Sequence, residues 1–162
     1  MKQQFRTNPV TEWLPFPAHN HRKMELKEDF IYDSAFGESF TAPKGYVANG
    51  SSYPRWRNNQ SFWSNFKRII PIVAIKAFSW YPYVGFERNA SIIHDWLCDA
   101  KITDSKKAHD LYEEMVYHLL HISYFEKDTM KYKMAKLKAR IITWSVKLGG
   151  PEFDAVSVKL SE

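Results

Sequence analysis

Two His-Asp pairs carry the side chains in this sequence that are best suited to chemistry. They are His94-Asp95 and His109-Asp110. Imidazole and carboxylate groups ligate metals and transfer protons in general acid-base catalysis. Neighbouring residues on a helix point about 100° apart, so one pair cannot form a site by itself. Two helices packed face to face would bring His94 or Asp95 close to Asp110.

These pairs also have a purely structural interpretation, which we favour from the pattern alone. His-Asp dipeptides are common, and the spacing between the two pairs matches no zinc signature. Hydrogen-bonded residues on packed helices are therefore the better explanation. If Asp95 and Asp110 are buried, this interpretation requires polar partners for both, because an unpaired buried carboxylate is costly.

The loop at residues 44–55 is a second candidate site. Gly50 follows Asn49 and permits a turn with positive φ, and Ser51 and Ser52 place hydroxyl groups beside it. Ser52 is therefore a candidate nucleophile or ligand, with Asn49 completing the pocket. The loop has neither the G-x-S-x-G elbow of serine hydrolases nor the Walker A lysine. A structural turn is the favoured interpretation.

A third candidate is an aromatic segment, Tyr53 to Phe86, in which ten of 34 residues are aromatic. Basic residues are interleaved with them: Arg55, Arg57, Lys67, Arg68 and Lys76. We predict Arg55, Trp56 and Trp63 as binding residues. Aromatic and basic side chains in alternation can stack single-stranded nucleic acid. Core packing combined with a protein-binding surface is the commoner explanation.

Three helices are predicted in the second half of the chain. The first two carry the His-Asp pairs, and the third comes after them. The first covers about Ala90 to Ala100. The second, Asp104 to Leu120, has apolar residues at i, i+3, i+4 and i+7, with Asp104 or Ser105 as its N-cap. The third covers about Thr129 to Leu148 and ends at Gly149-Gly150-Pro151.

The third predicted helix combines an apolar stripe with a basic face. The stripe is Met130, Met134, Leu137, Ile141 and Trp144, at alternating spacings of four and three. The basic face is Lys131, Lys133, Lys136, Lys138, Arg140 and Lys147. These six charges exceed the net charge of +5, so the rest of the chain is nearly neutral. Lys131 and Lys138 are candidate binding residues, and nucleic acid is a possible partner, although a lysine-rich face is usually solvated.

The first 88 residues contain seven of the eight prolines. Residues 24–34 and 37–43 are predicted to form an antiparallel pair that a turn at Lys44-Gly45 ends. The predicted fold is a single α+β domain covering 1–162. Its parts are a β- and loop-rich half (1–88), a helical half (89–148) and a tail or closing strand (149–162).

Composition excludes several classes of protein. A chain of 162 residues with 44% hydrophobic and 25% charged residues is typical of a globular domain. The single cysteine, Cys98, rules out an internal disulfide. The N-terminus has no secretory h-region, which indicates a reducing cytoplasm. The apolar stretch at 69–84 is interrupted by prolines and is shorter than the ~20 residues of a membrane span.

Three ordered motifs resemble a family of unknown function found in tailed phages and prophages. They are FTAPKGYVANGSSYPR at 40–55, ASIIHDWL at 90–97 and AHDLY at 108–112. The family pattern is a Gly-Phe-x-Thr-Asp-x-x-Ser-x-Pro loop, a helix with Ala-x-x-x-His-Asp-x-Leu, and Ala-x-Asp on the next helix. The resemblance covers about residues 24–148.

The chain follows the family pattern at most positions and departs from it in the loop. The matching residues are Ser52, Pro54, His94, Asp95 and Asp110, and Tyr46 replaces a Phe. Ala48-Asn49 stands where the family has Thr-Asp. An amide cannot accept a proton near neutral pH, so a family member that used the loop Asp as a base would lose that function here.

We predict a phage structural or accessory protein that binds other virion components through its aromatic segment and basic helix. It would occupy the host cytoplasm during infection or the virion, without a cofactor. The alternative is a phage-encoded hydrolase, with His94, Asp95, Asp110 and Ser52 as catalytic candidates and a divalent metal as a possible cofactor. A third hypothesis is nucleic-acid binding by helix 129–148.

Overall fold

The computed structural model describes residues 4–13, 24–48, 88–123, 129–149 and 154. Across these ranges it contains short antiparallel strands followed by helices, which confirms the α+β prediction. The strands are β1 (Gln4–Phe5), β2 (Thr11–Trp13), β3 (Met24–Leu26), β4 (Phe30–Asp33), β5 (Ser39–Ala42) and β6 (Val47–Ala48). The helices are α1 (Arg88–Ala100), α2 (Ser105–Ser123) and α3 (Met130–Gly149). No helix in the described ranges has the length and apolarity to cross a membrane.

The strands form two three-stranded antiparallel sheets, in the orders β1-β4-β5 and β2-β3-β6. Phe30 lies opposite Ala42 and Asp33 opposite Ser39, so residues 30–33 and 39–42 form the predicted pair. Including residues 24–26 in that pair was wrong. They form β3, which pairs with β2 and β6. The chain bends after β3, where three consecutive charged residues at 27–29 interrupt the apolar pattern.

The core lies where the sheets meet α1 and α2. The predicted stripe of α2 is buried at every position: Ala108, Leu111, Tyr112, Met115, Val116, Leu119 and Leu120. From the sheets, Phe30, Tyr32, Phe40 and Ala42 enter the same cluster. Alternation along β4 and β5 directs these side chains inward, as the two-residue period of a strand requires.

Glu114 of α2 ties this helix to the β4–β5 hairpin. The Tyr32 hydroxyl donates to Oε1 of Glu114 at 2.7 Å, and the backbone N–H of Ala35 donates to the same oxygen at 2.8 Å. The Ser34 hydroxyl lies 3.4 Å from Oε2. The hairpin and α2 are therefore joined by charge-assisted hydrogen bonds as well as by apolar packing.

Capping residues set where α2 and α3 begin. The backbone N–H of Lys107 donates to Oδ1 of Asp104 at 2.7 Å, so Asp104 is the N-cap of α2. The backbone N–H of Tyr132 donates to the Thr129 hydroxyl at 3.2 Å, which caps α3 in the same way. Both caps lie where the sequence predicts that these helices begin, at Asp104 or Ser105 for α2 and at about Thr129 for α3. Residues 149–162, for which the sequence predicts a tail or a closing strand, lie almost entirely outside the described residues.

Helix α3 packs on the core through a different face from the one its hydropathy pattern favours. Its buried apolar residues are Tyr132, Ala135, Ala139 and Ile142. The apolar stripe at 130, 134, 137, 141 and 144 would ordinarily face the core. Here the two alanines face the core instead, and short side chains let helices approach closely. Most of the stripe turns away from the core as a result, but Ile141 is half-buried and packs against the core.

Candidate functional site

A His-Cys-His cluster (His94, Cys98 and His109) forms where α1 packs against α2. His94 and Cys98 are four residues apart on α1, so they share one face of the helix. The imidazole of His109 on α2 lies beside that of His94, with ring centroids 5.4 Å apart. One ligand atom from each of the three residues lies within 4.8 Å of the other two. Three potential metal ligands therefore converge from two helices.

Burial sets the protonation of the cluster. His94 and His109 are 6% and 7% exposed, and Cys98 is half-buried. Burial, with a smaller contribution from His109, lowers the pKa of His94 to about 3. Burial, followed by the negative charges of Asp95 and Asp99, raises the pKa of the Cys98 thiol to about 12. At neutral pH His94 is an uncharged imidazole and Cys98 is a thiol.

The contacts inside the cluster are short enough for a weak hydrogen bond. Sγ of Cys98 lies 3.6 Å from Nε2 and 3.9 Å from Nδ1 of His94. A thiol is a weak donor and a neutral imidazole nitrogen is an acceptor. Without a metal, the cluster is therefore a polar contact inside a helix interface. The Tyr112 ring, 4.9 Å from that of His94, closes one side of it.

A tyrosine from the sheet side reaches the outer edge of the cluster. The hydroxyl of Tyr46, next to β6, donates to Oδ2 of Asp99 on α1 at 2.8 Å. Burial is the main cause that raises the pKa of Tyr46, so the phenol keeps the proton that it donates. Asp99 is thereby held close to Cys98 with its negative charge.

The two His-Asp pairs differ in burial. His94 and Asp95 are both buried on α1, and Asp95 has further polar or electrostatic interactions, as a buried carboxylate requires. Asp110 is exposed on α2, where its Oδ1 lies 2.7 Å from Nζ of Lys147 on α3. It is His109 that lies beside His94.

Asp110 instead lines an open groove between the β4–β5 turn and the start of α2. This groove has a volume of about 550 Å³. The residues lining it are Phe36, Glu38, Asp104, Lys106, Lys107, Asp110 and Leu111. Acidic and basic side chains alternate there, and Lys107 pairs with Glu38 at 2.6 Å. The groove is a mixed-charge surface, separate from the cluster.

Five predicted site residues, Asn49, Ser52, Arg55, Trp56 and Trp63, lie outside the described residues. The other five are described. His94 and Asp95 are buried and Asp110 is exposed, as stated above, while Lys131 is exposed and Lys138 is half-buried on α3. Sequence reasoning missed Cys98 as a site residue. It named His109 in a His-Asp pair, but it predicted Asp110 rather than His109 as the neighbour of His94. The available signal was the spacing His94-x-x-x-Cys98, which places both side chains on one helix face. A second signal was that His109 follows Ala108 at the start of the buried stripe of α2.

The outer face of α3 is the other feature that function could use. Met130, Leu137, Trp144 and Leu148 are 69%, 41%, 48% and 47% exposed. Together with the half-buried Met134 and Ile141 they form what we call the outer stripe. Their spacings alternate between four and three residues over the whole helix, which is the a/d pattern of a coiled-coil seam.

Basic residues flank the outer stripe on both sides. In the heptad that places the stripe at a and d, the e and g positions are Lys131, Lys133, Lys138, Arg140, Ser145 and Lys147. Five of these six positions carry positive charge and none carries a negative one. Lys147 is partly neutralised, because it pairs with Asp110 and Glu113 of α2. Lys131 and Lys138 also have polar or electrostatic interactions within the protein. The positive border therefore rests chiefly on Lys133 and Arg140, which are exposed.

Comparisons with known proteins cover the helices of the cluster. Residues 69–133 match the family model described as "Protein of unknown function (DUF1353)". That stretch includes all of α1 and α2. The chain is similar to "Uncharacterized protein y4jT" of Sinorhizobium fredii (strain NBRC 101917 / NGR234), at 27% identity over 149 residues. The alignment covers 92% of this chain and 34% of that protein, so the chain spans about a third of its relative. No solved structure matches the chain.

These matches bear out one part of the resemblance, namely that a family of unknown function matches this chain. The phage setting and the loop motif remain predictions.

Proposed function

We propose that this protein is a binding module that holds an acid-flanked amphipathic helix of a partner protein against the outer stripe of α3. The observation that carries the proposal is that four of the six residues of the a/d heptad pattern are exposed on a helix whose opposite face is already packed. These residues are Met130, Leu137, Trp144 and Leu148. Exposed apolar surface of this extent is unfavourable in water, and it is typical of an interaction site.

The shape of the outer stripe favours a helix as its occupant. Side chains that alternate at spacings of three and four accept the knobs of a second helix between them. Amphipathic helices bind grooves and seams through anchors at i, i+3, i+4 and i+7. Trp144 is the largest exposed anchor, and tryptophan is enriched among residues that dominate binding energy.

The charge of the flanks favours an acidic partner. Residues at the e and g positions of one helix lie opposite e and g positions of the partner helix, whether the two helices run parallel or antiparallel. The charges at these positions therefore select the partner. Lys133 and Arg140 are exposed there. A partner with Glu or Asp at e and g gains attraction at these positions. A second copy of this chain would bring like charges together and is disfavoured.

Segments of the same chain are weaker candidates for the outer stripe. Residues 51–87 carry five basic residues and a single acid, Glu87. Such a segment has the same sign of charge as the flanks of α3. Residues 150–162 include three acids, at 152, 154 and 162, so this tail is the competing occupant that an experiment must exclude.

The resemblance to phage proteins supplies the setting of the proposal. A virion component is the expected partner, bound in the host cytoplasm during infection or in the assembled particle. The aromatic segment at 53–86 remains a second proposed contact surface. The hydrolase alternative required His94 and Asp110 to act together, whereas Asp110 pairs with Lys147, so the geometry favours binding.

A panel of designed helical peptides tests the proposal. Each peptide has about three heptads with leucine at a and d, and carries glutamate, lysine or serine at e and g. We expect saturable binding of the glutamate peptide, at least about tenfold weaker binding of the serine peptide, and none of the lysine peptide. Isothermal titration of the full chain measures all three. Equal binding of the glutamate and lysine peptides would contradict the charge argument.

Nucleic-acid binding by the same basic flanks is tested by adding an oligonucleotide to the same titration series. An oligonucleotide would bind with an affinity that falls steeply as salt increases, because counterions are released from its phosphates. It would not depend on the apolar side chains of the stripe. If an oligonucleotide binds more tightly than the glutamate peptide, and a Leu137→Ser variant retains that binding, the protein-binding proposal is wrong.

A further inference from the structure

We propose that the His-Cys-His cluster is a Zn²⁺ site that fastens α1 to α2. A mixed set of one cysteine and two histidines is a donor set that zinc accepts, and it excludes the hard cations Ca²⁺ and Mg²⁺, which take oxygen ligands. The inference is independent of the proposed function, since the cluster and the outer stripe share no residue.

The distances within the cluster suit tetrahedral zinc. Bonds of about 2.3 Å to sulfur and about 2.05 Å to nitrogen place these two ligand atoms about 3.6 Å apart at the tetrahedral angle. Sγ of Cys98 lies 3.6 Å from Nε2 of His94. All the ligand-atom separations in the cluster are at most 4.8 Å, within about 1 Å of this edge.

The electrostatic surroundings favour a divalent cation. Asp95 and Asp99 lie close enough to Cys98 to disfavour its thiolate form. The same negative field lowers the energy of a cation placed at the sulfur, and the cation in turn stabilises the thiolate. His94 is already an uncharged imidazole, the form that binds metal. Cys98 is only partly buried, so the cluster is not fully enclosed.

Binding requires one proton to leave the protein. When the Zn–S bond forms, the Cys98 thiol gives up its proton to the solvent. Zinc affinity should therefore rise with pH.

Zinc titration of the chelator-treated full chain tests the site. We expect one equivalent of Zn²⁺ to bind, to raise the Tm, and to release about one proton, measured from the dependence of the binding enthalpy on buffer ionisation. Co²⁺ as a probe should give the intense absorption of a thiolate-to-metal charge transfer. Absence of saturable one-to-one binding to the wild-type chain overturns the proposal.

Two variants locate the metal. Cys98→Ser should abolish the cobalt charge-transfer band and weaken zinc binding by at least about a hundredfold. The matched control is His121→Gln, on the exposed side of α2, which should bind zinc as the wild type does. If Cys98→Ser folds and binds zinc normally, or if His121→Gln abolishes binding, the metal lies elsewhere and the assignment is wrong.

Discussion

Trp144→Glu should weaken binding of the glutamate-flanked peptide by about 30-fold or more, while the free energy of unfolding falls by at most about 2 kcal/mol. The indole is about half exposed in the unbound chain, so only part of its apolar surface contributes to the fold. In the complex it would be buried between the partner helix and the C-terminal half of the outer stripe. The new carboxylate would also lie opposite the acidic flanks of the peptide.

A matched variant separates this effect from a general change in charge or hydrophobicity. Phe36→Glu alters another exposed large apolar residue, which is 79% exposed in the turn between β4 and β5. We expect it to leave peptide affinity unchanged. Equal losses in Trp144→Glu and Phe36→Glu would mean that the peptide does not use the outer stripe. Titration calorimetry and denaturant unfolding provide the two readouts.

Glu114→Ala should lower the free energy of unfolding by about 3 kcal/mol. The substitution removes the acceptor for the hydroxyl of Tyr32 and for the backbone N–H of Ala35, together with the longer contact to Ser34. Tyr32 is fully buried, so water cannot readily replace the lost bond. Hydrogen bonds to a charged group contribute about 1.5–3 kcal/mol each, and part of this is recovered when the site relaxes.

The adjacent residue supplies the control for this prediction. Glu113 is also a glutamate of α2, but it faces outward and pairs with Lys147 of α3. An exposed ion pair contributes at most about 1 kcal/mol. Glu113→Ala should therefore cost much less than Glu114→Ala in urea unfolding. Equal effects of the two substitutions would show that Glu114 does not join the sheet to α2.

Helix α2 shows what a sequence pattern predicts well. Its apolar residues follow a single periodic stripe, and every one of them is buried. Its N-cap was predicted as Asp104 or Ser105, and the hydrogen bond to Lys107 identifies Asp104. Both features depend on local chemistry, namely helix periodicity and the orphan N–H groups of a first turn, so no tertiary information was needed.

Helix α3 shows where the pattern fails. Its strongest hydrophobic signal belongs to the outer stripe, whereas Ala135 and Ala139 pack on the core. Hydropathy ranks long apolar side chains above alanine, and it contains no information on how closely two helices approach. The choice of face is decided by packing in three dimensions.

The sequence predicts only part of the His-Cys-His cluster. His94 was identified as a candidate because of its chemistry, but its expected neighbour was Asp110. A rotation of about 100° between consecutive helix residues directs His109 inward and Asp110 outward. Which of the two meets α1 depends on the crossing of the helices, and the sequence does not specify that crossing. Cys98 was considered only for disulfides, for which one cysteine is insufficient.

The most direct test of the proposed function is photo-cross-linking from position 137, with the protein in its native cellular setting. A photoreactive residue replaces Leu137 in the outer stripe, and the cross-linked peptide is identified by mass spectrometry. Position 36 serves as the control. We predict an adduct at 137, and none at 36, with a segment of another protein that carries an apolar heptad pattern flanked by Asp and Glu. An adduct only with residues 150–162 of the same chain, only with a second copy, or with nothing would contradict the account.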